Sequence, residues 1–198
     1  MRLFPGILIV FVLALAGPAP GLPGFSDQQV LQAINAGREQ AHQVEPEQVR
    51  IARPSQMADV TLVGYSKGDG YLLGTVFLGA QSYRPEEAAR LWLTGAGWTR
   101  TDAAARAALA RRWVQEVMLA FGECLIEQDP GRPFGAPNPD FSPVLERADA
   151  DGGVILVGWI REPSGVLGDI YRRSLFHFGS DGRLVRVRML DRFQAPLQ

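Results

Sequence analysis

Residues 101–128 read TDAAARAALARRWVQEVMLAFGECLIEQ, and the way this stretch folds decides what the rest of the chain must do. At 100° per residue, Leu109, Ala110, Trp113, Val114, Val117, Met118, Ala120, Phe121, Cys124 and Leu125 share one half of a helical cylinder. Arg112, Gln115, Glu116 and Glu123 fall on the other half. The spacing predicts one long amphipathic helix over Asp102–Gln128, and an apolar stripe of that width calls for a sheet to cover it. Leu119 and Ile126, one heptad apart on the otherwise polar side, mark a second contact surface for another helix of the chain or for a partner. Cys124 is the single cysteine, so no intrachain disulfide forms; on the stripe it reads as a small packing hydrophobe.

β-rich segments lie on both sides of this stretch. Upstream, residues 59–80 read DVTLVGYSKGDGYLLGTVFLGA, with strands expected at Val60–Tyr65 and Tyr71–Gly79 around Lys67-Gly68-Asp69-Gly70. Glycine there accepts the positive φ of a tight hairpin, and Ser66 reads as the residue that begins the turn. Val49–Ala52, before Pro54, reads as a short edge strand. Ser26 as N-cap starts a helix from Asp27 to about His42, weakened by Gly37. Arg84-Pro85-Glu86-Glu87 opens another, its proline at the first helical position and its glutamates facing the N-terminal dipole; Gly95-Ala96-Gly97 ends it and Trp98 anchors the corner.

Downstream, residues 129–143 carry five prolines and form neither helix nor central strand. Phe134 and Phe141 in this loop are candidate partner contacts, beside Arg132. Strands are expected near Pro143–Ala148, then at Gly153–Arg161, Ile170–Phe178 and Leu184–Phe193, with turns at Asp151-Gly152 and Asp181-Gly182. Strands follow strands and helices follow helices, which makes the fold class α+β. The expected architecture is an antiparallel sheet packed around or against the long helix, with one or two further helices, and residues 26–198 forming a single domain.

The first residues, MRLFPGILIVFVLALAG, have one early cation at Arg2, an apolar run from Ile7 to Ala16 and Ala14-Leu15-Ala16 as a cleavage pattern. Residues 1–16 therefore read as a secretory signal peptide, followed by a Pro/Gly-rich leader at 17–25, and the apolar run is too short to span a bilayer. Cleavage removes only Arg2 among the charged residues, leaving 19 cations against 21 carboxylates, a net charge of −2. That balance argues against nucleic acid as a partner and leaves an envelope protein or an anionic ligand as the expected one, in the periplasm or outside the cell.

Catalytic signals are sparse. His42 and His177 are the only histidines, and they lie in different elements, so no metal site and no cofactor is expected. Asp149-Ala150-Asp151-Gly152-Gly153 alternates carboxylates but lacks the remaining ligands of a calcium loop, and reads as a turn. His177 is the side chain with most at stake. With Ser180-Asp181 as a two-residue loop, it pairs with Leu184 and shares a face with Arg173, Leu175, Arg186 and Arg188, a basic surface suited to an anion. With Gly182 in the left-handed conformation, it faces Val185 and joins Leu175 and Val187 as a structural histidine. Acids from the long helix, Glu116, Glu123 and Glu127, are candidate counter-ions for the arginines of the last two strands. The expected function is a non-enzymatic binding or assembly module. The alternatives are a small secreted hydrolase with His177 as general base, near Asp169, Tyr171 or Glu123, and a structural or inhibitor protein.

Overall fold

In the computed structural model, residues 26–36, 38–67, 70–121, 123–126, 145–162 and 170–194 are described. Residues 1–25, expected to be signal peptide and leader, Glu127, the proline-rich loop with Phe134 and Phe141, and Asp169 lie outside these residues. The fold is α+β with two antiparallel sheets rather than one.

Sheet 1 has the order β1 (Val49–Ala52), β2 (Val60–Lys67), β3 (Gly70–Leu78) and β4 (Gln81–Tyr83). Its central hairpin pairs Val60 with Leu78 and Val63 with Thr75, and slips by one residue after Val63, at Gly64. Strand side chains alternate between faces, and here both faces are apolar. Val60, Leu62 and Val76 join the main core, while Val63 and Phe77 pack with Val30 of α1 (Asp27–Asn35) in a second cluster. Fully burying a side chain such as Val30 contributes about 1.5–3 kcal/mol, so α1 acts as a lid over this face. Its start follows the sequence: Ser26 and Gln29 form a reciprocal capping box. Its end does not. The helix expected to reach His42 stops at Asn35, whose side chain bonds both the N–H and the carbonyl of Val44, at 2.8 and 3.0 Å, and turns the chain back.

Sheet 2 has the order β5 (Cys124–Leu125), β7 (Val154–Glu162), β8 (Ile170–Phe178) and β9 (Leu184–Gln194), with β6 (Leu145–Ala148) paired along the same edge of β7 as β5. Its inner face sends Leu156, Ile160, Phe176 and Phe178 into the main core. Two helices fill the space between the sheets: α2 (Pro85–Gly95) packs on β3 and β9, and α3 (Ala103–Trp113) on β6 and β7. Trp92 of α2 meets Trp113 of α3 with ring centroids 5.8 Å apart.

The long helix over Asp102–Gln128 is not found. Regular α-helix ends at Trp113, one π-helical turn continues it over Val114–Met118, and Cys124–Leu125 belong to a strand. The physical cause is competition for the main chain. Phe121 packs its ring on the bare backbone of Gly64, and the chain then pairs with the edge of β7, where Ile126 donates to the Trp159 carbonyl at 2.9 Å. Sheet hydrogen bonds thus replace helical ones just past Gly122, a residue type that costs a helix about 1 kcal/mol. The wider π turn also carries Leu119 off the polar side and into the core, and Ile126 is half-buried beyond β5, so the second surface inferred on a continuous helix does not exist in that form. Cys124 lies in β5; the burial of its side chain falls outside the described residues.

A corner built on Trp98 ties these layers together. Its ring is fully buried against Phe178, centroids 6.1 Å apart, and its indole N–H donates to the Ser180 carbonyl at 3.0 Å. Arg106 of α3 donates to the carbonyls of Trp98 and Gly152, at 2.9 and 2.6 Å. The turns of the β6–β7 and β8–β9 hairpins are thereby fastened to one helix and one indole.

Candidate functional site

The hairpin β8–β9 settles which surface His177 occupies. Gly182 has φ +81°, and the Gly179 N–H donates to the Arg183 carbonyl at 2.9 Å, so the turn uses a left-handed glycine and pairs Phe178 with Leu184. Continued regularly, that register would set His177 opposite Val185. A β-bulge at Val185 intervenes, and His177 pairs with Arg186, Phe176 with Val187 and Leu175 with Arg188. The turn of one expected arrangement thus leads to the face of the other: Arg173, Leu175, His177, Arg186 and Arg188 all stand on the outer face of sheet 2. A second bulge at Leu190 sets Asp191 opposite Arg173.

Across the sheet these positions form rows. One runs Arg147, Ile155, His177, Arg186 through β6, β7, β8 and β9. At about 4.8 Å between strands, its two arginines begin about 14 Å apart at their backbones. The next row holds Val157, Leu175 and Arg188, and the one beyond it Trp159, Arg173 and Asp191. Ile155, Val157, Leu175 and His177 are half-buried, whereas Arg147, Arg186 and Arg188 are exposed. The surface is an apolar strip with cations along both margins.

His177 has a partner the sequence did not suggest. Asp149 leaves the end of β6 in a turn closed by Gly152 at φ +82°, and its carboxylate meets the His177 Nε2 at 2.8 Å while accepting the Ala150 N–H at 2.9 Å. The bond from His177, then the Ala150 N–H and the positive charge of His177 and Arg147, hold Asp149 below the usual aspartate range. Folding stability tied to this carboxylate is present above the unfolded aspartate value of about 3.9 and is lost as pH falls through the depressed folded value. Carboxyl NMR titration of His177→Leu should move the Asp149 midpoint upward; an unchanged midpoint would disprove the assignment of His177 as the main cause.

The other residues proposed around His177 lie elsewhere. Glu123 is on the inner side, where Arg172 of β8 donates to its carboxylate. Burial pushes the Glu123 carboxyl up, against the pull of Arg172 and with the help of neighbouring Glu162. It is therefore the counter-ion expected for a terminal arginine, reached from a turn and not from a helix. Tyr171 is buried six residues along β8 from His177, about 20 Å away at the strand rise. Among the described residues, no hydroxyl or thiol is hydrogen-bonded to His177.

Residues 64–68 read GYSKG, which has the G-x-S-x-G spacing of a hydrolase nucleophile elbow around Ser66. An elbow needs a strand that turns sharply into a helix. Ser66 instead lies within β2, paired with Tyr71 in an antiparallel hairpin of sheet 1, so the motif lacks its structural context, and Ser66 does not begin the turn either.

Two of the cavities lined by described residues lie away from His177. One, about 460 Å³, lies between α1 and the following loop, along Gln28, Gln32, Asn35 and Val44. The other, about 310 Å³, is a groove walled by Leu73, Pro85, Met118, Leu184 and Val187, between β3, α2 and β9. Among the described residues no helix is long and apolar enough to cross a membrane, and no three His, Cys, Asp or Glu side chains gather as a metal cluster. No protein-family model, curated protein or solved structure matches the chain.

Proposed function

We propose that the chain is an exported, non-enzymatic binding or assembly module that takes an anionic partner on the outer face of sheet 2. The observation that carries this reading is the register placing Arg173, His177, Arg186 and Arg188 on one face, with Arg147 at its far margin. Its rows span four strands, a breadth suited to a macromolecular partner more than to an enclosed small substrate. Arginine is the residue type for such contacts, because its planar fork bonds carboxylates in pairs. Export rests on the charged, apolar and small-residue order of residues 1–16.

The hydrolase alternative draws on one observation, the carboxylate of Asp149 bonded to His177 in the way an acid orients a catalytic histidine. With no hydroxyl or thiol hydrogen-bonded to His177 among the described residues, that pair serves the binding reading equally well, by holding the imidazole in the row between Ile155 and Arg186.

Retention on a sulfonated polyanion matrix tests the basic face. The wild-type chain should bind at low ionic strength and elute as salt screens the arginines, and Arg186→Glu combined with Arg188→Glu should abolish retention without loss of fold, since both side chains are exposed. Retention that is absent, or that ignores both salt and the double substitution, would refute the reading.

A further inference from the structure

Among the described residues β9 is paired only on its β8 side, and every residue from Val185 to Arg192 is exposed. A strand that merely closed a sheet would bury alternate residues. Here Val185, Val187, Met189 and Leu190 are 59%, 51%, 57% and 43% exposed. Their arrangement is ordered. Val187 and Met189 stand on the inner face, where Val187 lines the groove with Leu73, Pro85, Glu86 and Met118, while Arg186 and Arg188 stand on the outer face by their register. Between the two faces lies the strand's unpaired main-chain edge.

We propose that β9 is a docking edge for one extended strand of a partner protein, in which apolar and acidic residues alternate. The added strand would hydrogen-bond to the free edge, seat its apolar residues on Val187, Met189 and the groove, and set its carboxylates against Arg186 and Arg188. This inference rests on the anionic-partner reading and names the partner's form. A second copy of the chain does not satisfy the edge. Two β9 strands related by a twofold axis through a continuous sheet keep their outer faces on the same side, so arginines would meet arginines. The bulges at Val185 and Leu190 bracket a regular stretch of Arg186–Met189, about 13 Å long, which limits pairing to one short strand and guards the edge against open-ended stacking.

Fluorescence anisotropy with the full chain and an eight-residue peptide of alternating valine and glutamate tests this. Two N-methylated versions carry the methyl groups in one strand phase or the other, and a lysine peptide replaces every glutamate. The glutamate peptide should bind at least about tenfold tighter than the lysine peptide and than one N-methyl phase, the other phase being tolerated, because only alternate amides face β9. Arg186→Glu with Arg188→Glu should reverse the charge preference, and Val187→Glu should weaken the glutamate peptide about tenfold. Equal binding of both N-methyl phases and the parent, or no peptide binding while polyanion retention persists, would overturn strand docking alone. Loss of both peptide binding and retention would overturn the anionic-partner reading as well. Concentration-dependent dimerisation abolished by Val187→Glu would overturn the choice of a foreign partner.

Discussion

Trp98→Ala should lower the unfolding free energy by about 3–5 kcal/mol, the range for truncating a large buried aromatic. The indole is wholly enclosed, and it bears on three parts of the chain at once: the ring of Phe178, the turn at Gly182, where its Cγ comes within 3.4 Å of a Cβ built there, and the Ser180 carbonyl. Removing it leaves a cavity and takes the indole hydrogen bond from the Ser180 carbonyl, while Arg106 remains committed to the carbonyls of residue 98 and Gly152. Trp98→Phe keeps most of the volume and should cost nearer 1 kcal/mol through the lost hydrogen bond. Urea unfolding with an unchanged slope is the measurement, and a midpoint for Trp98→Ala within experimental scatter of wild type would contradict the role assigned to this corner.

The second large effect is expected at Gly153, for a different reason. A Cβ there would sit 2.2 Å from the Phe178 carbonyl oxygen and 3.2 Å from the Gly179 carbonyl carbon, both backbone atoms at the end of the β7–β8 pairing. No rotamer change relieves a clash with backbone, so Gly153→Ala must part the strands, at a cost of about 1–3 kcal/mol or more. In a chain of this size that corresponds to a fall in Tm of about 2–12 °C. The damage should also reach the basic face, since the Asp149 N–H donates to the Gly153 carbonyl and Asp149 holds His177. A thermal melt that matches wild type, or an Asp149 titration left unmoved, would contradict this.

Sequence and structure agree where local chemistry decides. Asp-Gly turns place the hairpins of sheet 2 to within two residues, and Ser26 as N-cap and Pro85 place the starts of α1 and α2. They part where two arrangements of the main chain compete. The apolar stripe from Leu109 to Leu125 fits a helix throughout, and nothing in the periodicity announces that β7 has a free edge waiting for Cys124 and Leu125. Two strands of two and three residues, β5 and β4, are too short to show alternation of their own. The candidate site was half legible: the arginine and histidine positions were readable as a set, but the bulge that puts them on one face leaves no mark in residue type, and Asp149 is 28 positions away from the histidine it holds. GYSKG shows the opposite failing, a motif present in letters whose fold denies it the geometry.

The two bulges of β9 also decide how this strand tolerates changes of length. Val185 and Leu190 are the residues without a partner on β8, so either can be deleted while every remaining pair, His177 with Arg186 and Arg173 with Asp191 included, keeps its side of the sheet. Loss of any residue between them instead inverts the rest of the strand, sending arginines toward the groove and apolar side chains outward. In this strand, indels are harmless at two places and face-reversing between them, which makes Val185 and Leu190 the natural points at which a related chain could differ in length and keep the same surface.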